Sequence, residues 1–79
     1  VSEADMMFEE LQYNKSITRS NEFIIFSKKE LKYNCQKEYE ICITFDCLDK
    51  CVFTKNKPYA SSKELQAILC KCRELGWIN

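Results

Sequence analysis

Cys47-Leu48-Asp49-Lys50-Cys51 and, further on, Cys70-Lys71-Cys72 are the stretches on which the fold turns. Residues four apart share one face of a helix, and residues two apart share one face of a strand. A helix over 47–51 packed against an extended 70–72 therefore brings two thiols to two thiols, and two parallel disulfides can form. If Cys70 and Cys72 were helical, their side chains would diverge by roughly 200°. The double staple would then be lost.

The size of the chain fits a stapled domain. It has 79 residues, six of them cysteine, with one glycine and one proline. A core this small commonly needs disulfides or a metal. Six cysteines allow three bridges, and the density reads as an extracellular scaffold. The sequence begins at Val1 without an initiator methionine or an apolar leader, which predicts a processed, secreted product. No apolar run reaches the length of a membrane span.

Twelve basic and twelve acidic residues cancel, which argues against a general nucleic-acid or membrane-surface binder. The charge is nevertheless segregated. Residues 1–14 carry Glu3, Asp5, Glu9 and Glu10 with no base, and residues 50–63 carry Lys50, Lys55, Lys57 and Lys63 with no acid. Histidine is absent, so the commonest general base and metal ligand is missing. A nucleophilic cysteine would lack its usual partner, and Asp46 and Asp49 read as surface carboxylates. No enzyme is expected.

Ser2 can cap a helix over 2–12, on which Ala4, Phe8 and Leu11 form one stripe with Met7 beside it. That acidic helix reads either as a recognition arm or as a cover for the core. Residues 13–22 are polar and irregular, and Asn14-Lys15-Ser16 fits the N-glycosylation triplet. Phe23-Ile24-Ile25-Phe26 is consistent with a short strand. Ser27 and Glu30 then form a capping box, which starts a helix at Lys28. Leu31, Cys35, Tyr39 and Cys42 continue an i, i+4 pattern, and Ile41, Phe45, Leu48 and Val52 form a second stripe. Ile41, Ile43, Thr44 and Phe45 locally favour a strand. The prediction is an interrupted helix over 28–53 with a break near 34–40.

Residues 54–61 signal a loop through Lys55, Asn56, Lys57, Pro58 and Tyr59. Ser61 and Glu64 form another capping box, followed by Leu65, Ile68, Leu69 and Cys72 at helical spacing. Gly76 stands where a C-terminal cap would, with Trp77 and Ile78 placed to pack back. Two readings stay open: a helix over 62–75, or a helix over 62–69 followed by an extended 70–73.

The frame of Asp46-Cys47-Leu48-Asp49-Lys50-Cys51 and Cys70-Lys71-Cys72 resembles that of scoloptoxins, the disulfide-rich peptides of centipede venom. Scorpion toxins and defensins share the staple but place a further cysteine between the pairs, where residues 52–69 have none. The Cys35, Cys42, Cys47, Cys51 spacing is similar to that of ciliate mating pheromones, which are helical cell-to-cell signals. The final Cys70-x-Cys72 departs from that pattern. Both resemblances imply a secreted protein that works by binding.

The expectation is a small disulfide-rich, mainly α domain over residues 1–79. Its helices lie near 2–12, 28–53 (interrupted) and 62–75, with 23–26 or 70–73 as the place for a short β element. Its bridges are Cys47–Cys70, Cys51–Cys72 and Cys35–Cys42. The venom resemblance implies a toxin that modulates an ion channel from the extracellular side, with Lys55, Lys57 and Tyr59 as the target-binding residues. The alternatives are a receptor-binding signal of the pheromone kind and a protease inhibitor. A four-thiolate zinc site at Cys47, Cys51, Cys70 and Cys72 is weighed and set aside, because Cys-x-Cys is tight for it. No cofactor, metal, nucleic acid or small-molecule substrate is expected, and the oligomeric state is left open.

Overall fold

A central strand organises the molecule. Ile41-Cys42-Ile43-Thr44-Phe45 is buried at all five positions, as expected for a strand with neighbours on both sides. The structure, a computed structural model, describes residues 2–31 and 37–79. Helix α1 (Glu3–Glu10) is followed by strands β1 (Asn14–Ile17), β2 (Phe23–Leu31), β3 (Glu38–Asp46) and β4 (Cys51–Lys55), and then by helix α2 (Ser62–Glu74). The strands form one antiparallel sheet in the order β1-β2-β3-β4.

The register sorts the side chains by face. Ile24 pairs with Phe45, Phe26 with Ile43 and Lys28 with Ile41, so the face bearing these residues is the apolar one. Both helices lie on it. Phe8 of α1 stacks on Phe26 with centroids 3.9 Å apart and meets Phe45 edge-on at 6.1 Å. Ala67 and Cys72 of α2 join the same cluster. The opposite face, with Phe23, Ile25, Thr44 and Phe53, is uncovered by either helix. There Phe23 and Phe53 meet at 6.4 Å, and Phe53 stays half exposed.

Several expectations need correction. The fold is not mainly α: most of 28–53 is sheet. Ser27 does not cap a helix, because it pairs with Asn14 on one side and Cys42 on the other. A cap stabilises by about 1 kcal/mol, whereas burying each of Phe26, Ile41 and Ile43 yields about 2 kcal/mol, so tertiary burial wins. Phe23–Phe26 is extended, as the first part of a nine-residue strand. The break expected near 34–40 falls partly outside the described residues; β3 begins at Glu38.

The staple geometry is absent. Cys47 sits in the β3–β4 turn and Cys51 begins β4. Asp46 shapes that turn, its Oδ1 accepting from Leu48 N at 3.0 Å and from Asp49 N at 3.2 Å. Cys70 and Cys72 are helical, so 70–73 is not extended and their side chains diverge. Cys42, Cys47, Cys51, Cys70 and Cys72 are free thiols, against the expected Cys47–Cys70 and Cys51–Cys72 bridges. Cys35 lies outside the described residues, and its expected partner Cys42 is a free thiol. The core is held by packing instead.

Local signals at both helices agree with the structure. Ser2 caps α1 by accepting from Asp5 N at 3.0 Å, and Ser61 and Glu64 form the capping box of α2. With Ala4 and Phe8 fully buried, α1 covers the core. Beyond α2, Gly76 takes φ +77°, and Trp77 N bonds back to Cys72 O at 2.9 Å. That reversal returns the Trp77 ring to within 6.1 Å of Phe45; Ile78 remains partly exposed. No helix among the described residues is long and apolar enough to cross a membrane.

Candidate functional site

The two middle strands outrun their neighbours. β1 covers only residues 24–27 of β2, and β4 only residues 42–46 of β3. Lys28–Leu31 and Glu38–Ile41 therefore project as a two-stranded arm. Its helix-side residues Lys28, Glu30, Tyr39 and Ile41 form one wall of a cleft of about 380 Å³. Leu11 and the N-terminal turn of α2 close it, and Asn56, Lys57, Pro58 and Tyr59 form the rim.

The rim loop is pinned at several points. Asn56, at φ +58°, donates through Nδ2 to Glu40 O at 2.9 Å. Thr54 Oγ1 donates to Lys57 O at 2.8 Å. Lys57 Nζ lies 2.9 Å from Glu64 Oε1, with both side chains largely buried. Glu64 also accepts from Ser61 N at 2.8 Å and from the Tyr13 hydroxyl. Burial pushes the Glu64 carboxyl up, but the bonds from Ser61, Tyr13 and Lys57 overcome it and hold the group at about 2. Burial and the same carboxylate push the Tyr13 phenol up. Lys28 sits 4.5 Å above the Tyr13 ring and donates to Leu11 O at 3.0 Å, tying the arm to the end of α1.

Lys57 and Tyr59 thus line the cleft, whereas Lys55, opposite Cys42, lies on the sheet face turned away from the helices. Tyr59 is 80 % exposed. Lys55 is exposed at the end of β4. Lys57 is committed to Glu64. Sequence reasoning gave Glu64 only its capping role and did not bring Lys28, Glu30 or Tyr39 to this place. The i, i+3 capping signal was local, whereas the Lys57–Glu64 pair and the arm depend on how loop and hairpin pack.

A second polar cluster is structural. Lys71, nearly buried, lies 2.8 Å from Asp5 and 3.2 Å from Glu74. Burial alone would pull its ammonium down; the two carboxylates raise it instead. Glu74 accepts from Ala4 N at 2.9 Å, and Lys15 reaches Asp5 at 2.6 Å. Together these groups fasten the start of α1 to the end of α2 and to β1.

The thiols are dispersed, and no group of cysteines and carboxylates among the described residues could hold a metal ion. Burial pushes the Cys42 and Cys72 thiols up, with Glu40 adding to the effect at Cys42. Among the described cysteines, exposed Cys51 should therefore react first with iodoacetamide, and Cys42 and Cys72 last. Timed alkylation read by peptide mass checks this order. Early labelling of Cys72 would contradict its place in the core.

Comparison with protein-family models, curated proteins and solved structures returns no match.

Proposed function

We propose that the protein acts by binding a protein partner at this cleft, through Tyr59 and Pro58 on the rim, with Lys55 at the end of β4 adding positive charge nearby. The observation that carries the reading is a large aromatic side chain, 80 % exposed, on a loop fixed by Asn56, Thr54 and Lys57. A pre-set aromatic contact loses little entropy on binding, and exposed tyrosines are favoured anchors in interfaces. Lys57 positions the loop, and Lys55, on the other face of the sheet, adds positive charge that steers the partner's approach.

The partner class we infer is a membrane protein approached from outside the cell, an ion channel or a receptor. The acid-free run from Lys50 to Lys63 favours an acidic surface, chiefly through association rate.

Saturable binding of labelled protein to intact cells, with currents recorded in parallel, tests this. Tyr59→Ala should weaken binding at least about tenfold, the loss of an interface anchor, with thermal unfolding unchanged. Lys55→Ala should slow association and reduce its salt dependence. Equal binding by wild type and both variants would remove the loop from the interface. Saturable binding without an effect on currents would favour the receptor over the channel.

A further inference from the structure

Away from the cleft, the outer surfaces of the two helices form a furrow. The helices run antiparallel, since Ala4 at the start of α1 is bonded to Glu74 at the end of α2. At one end, Glu3 shares the furrow with Cys70 and Arg73. At the other, Glu10 shares it with Lys63. Met7 and Gln66 line both ends, so the furrow is continuous. Its α1 wall is acidic, and its α2 wall carries a base level with each acid; Glu74, also on the α2 wall, is already paired with Lys71 at 3.2 Å. Met6, 51 % exposed, and Leu69, 45 % exposed, give each helix an apolar outer contact.

We propose that this helical face is a self-complementary interface and that the protein associates with a second copy of itself through it. A two-fold axis along the furrow turns α1 of one copy onto α2 of the other without changing its level. Glu3 then faces Arg73, Glu10 faces Lys63, and Met6 approaches Leu69, each twice per dimer. Isologous pairing requires this self-complementarity. The opposite signs at matching levels favour a second copy over a foreign helix, for which nothing sets the pattern. The eight-residue α1 spans only about 12 Å, so the interface is small and the dimer weak.

Sedimentation equilibrium across the micromolar-to-millimolar range tests the proposal. A monomer–dimer equilibrium that weakens with added salt is expected. Glu10→Lys or Lys63→Glu alone should weaken it about tenfold, by turning two attractions into repulsions. The double reversal should restore it. Each change suits its helix dipole, a cation in the last turn of α1 and an anion in the first turn of α2, so loss of fold does not mimic loss of association. A monomer at every concentration would leave the furrow to some other helix and overturn the proposal. A dimer indifferent to the single reversals, or a double variant no better than the singles, would overturn it as well.

Discussion

Phe8→Ala is expected to bring the domain close to unfolding. The ring is fully buried; it stacks on Phe26 at 3.9 Å and meets Tyr13 at 5.8 Å and Phe45 at 6.1 Å. Removing it forfeits the burial of a large aromatic and leaves a cavity between helix and sheet, a cost of about 4 kcal/mol. A 79-residue domain commonly has a total stability of only about 4–12 kcal/mol. The melting temperature should fall by roughly 20 °C. Trp77, the single tryptophan, packs on Phe45 and reports unfolding by its fluorescence. Met6→Ala, two residues away on the exposed side of the same helix, should change stability by less than about 0.5 kcal/mol. A loss below about 1 kcal/mol for Phe8→Ala would show that α1 is not part of the core.

Glu64→Gln should be the next most costly change and the one with a pH signature. The amide keeps the shape of the capping box but leaves the largely buried Lys57 side chain without its anion and weakens the acceptor for Tyr13. Breaking such a buried pair costs about 3 kcal/mol. The folded carboxyl lies at about 2 against an ordinary 4.5. The folded state therefore binds this proton less readily than the unfolded chain. Its contribution is full above pH 4.5 and drains away as the pH falls toward about 2. Urea unfolding of both proteins should give a stability gap that is constant near neutral pH and closes through that acid window. Asp5 and Glu74, also held low by their partners, act in both proteins and cancel in the difference. A gap that stays constant down to pH 2 would mean that the ion pair contributes nothing.

How far the sequence could be read depended on the range of each signal. Ser2 and Ser61 were legible as caps because a cap is settled within one turn. Gly76 was legible because its positive φ suits glycine, and the reversal after it needs only the next residue. Ser27 and Glu30 form an equally good box, yet Ser27 lies in the middle of the sheet. The cysteine spacing misled for a related reason. A Cys-x3-Cys interval fits a helical turn, but it also spans a hairpin turn, and Asp46 as an acceptor for Leu48 and Asp49 was the local clue to the latter. Lys57, legible as a solvated loop lysine, is tied to Glu64 across the chain.

The sequence by itself determined the caps that start both helices, the extended start at Phe23, the loop after Lys55 and the return of Trp77, since each rests on a few neighbouring residues. The loop read over 54–61 began two residues early, because Thr54 and Lys55 belong to β4. Only the tertiary structure decided that Lys28–Leu31, Glu38–Asp46 and Cys51–Phe53 form sheet rather than helix, and that 70–73 continues the second helix. It also decided that the five described cysteines stand apart, and that Lys57, Glu64 and Tyr13 meet beneath Tyr59. Those outcomes depend on burying Phe26, Ile41, Ile43 and Phe45 together beneath Phe8. That burial energy outweighs local preferences worth about 1 kcal/mol each.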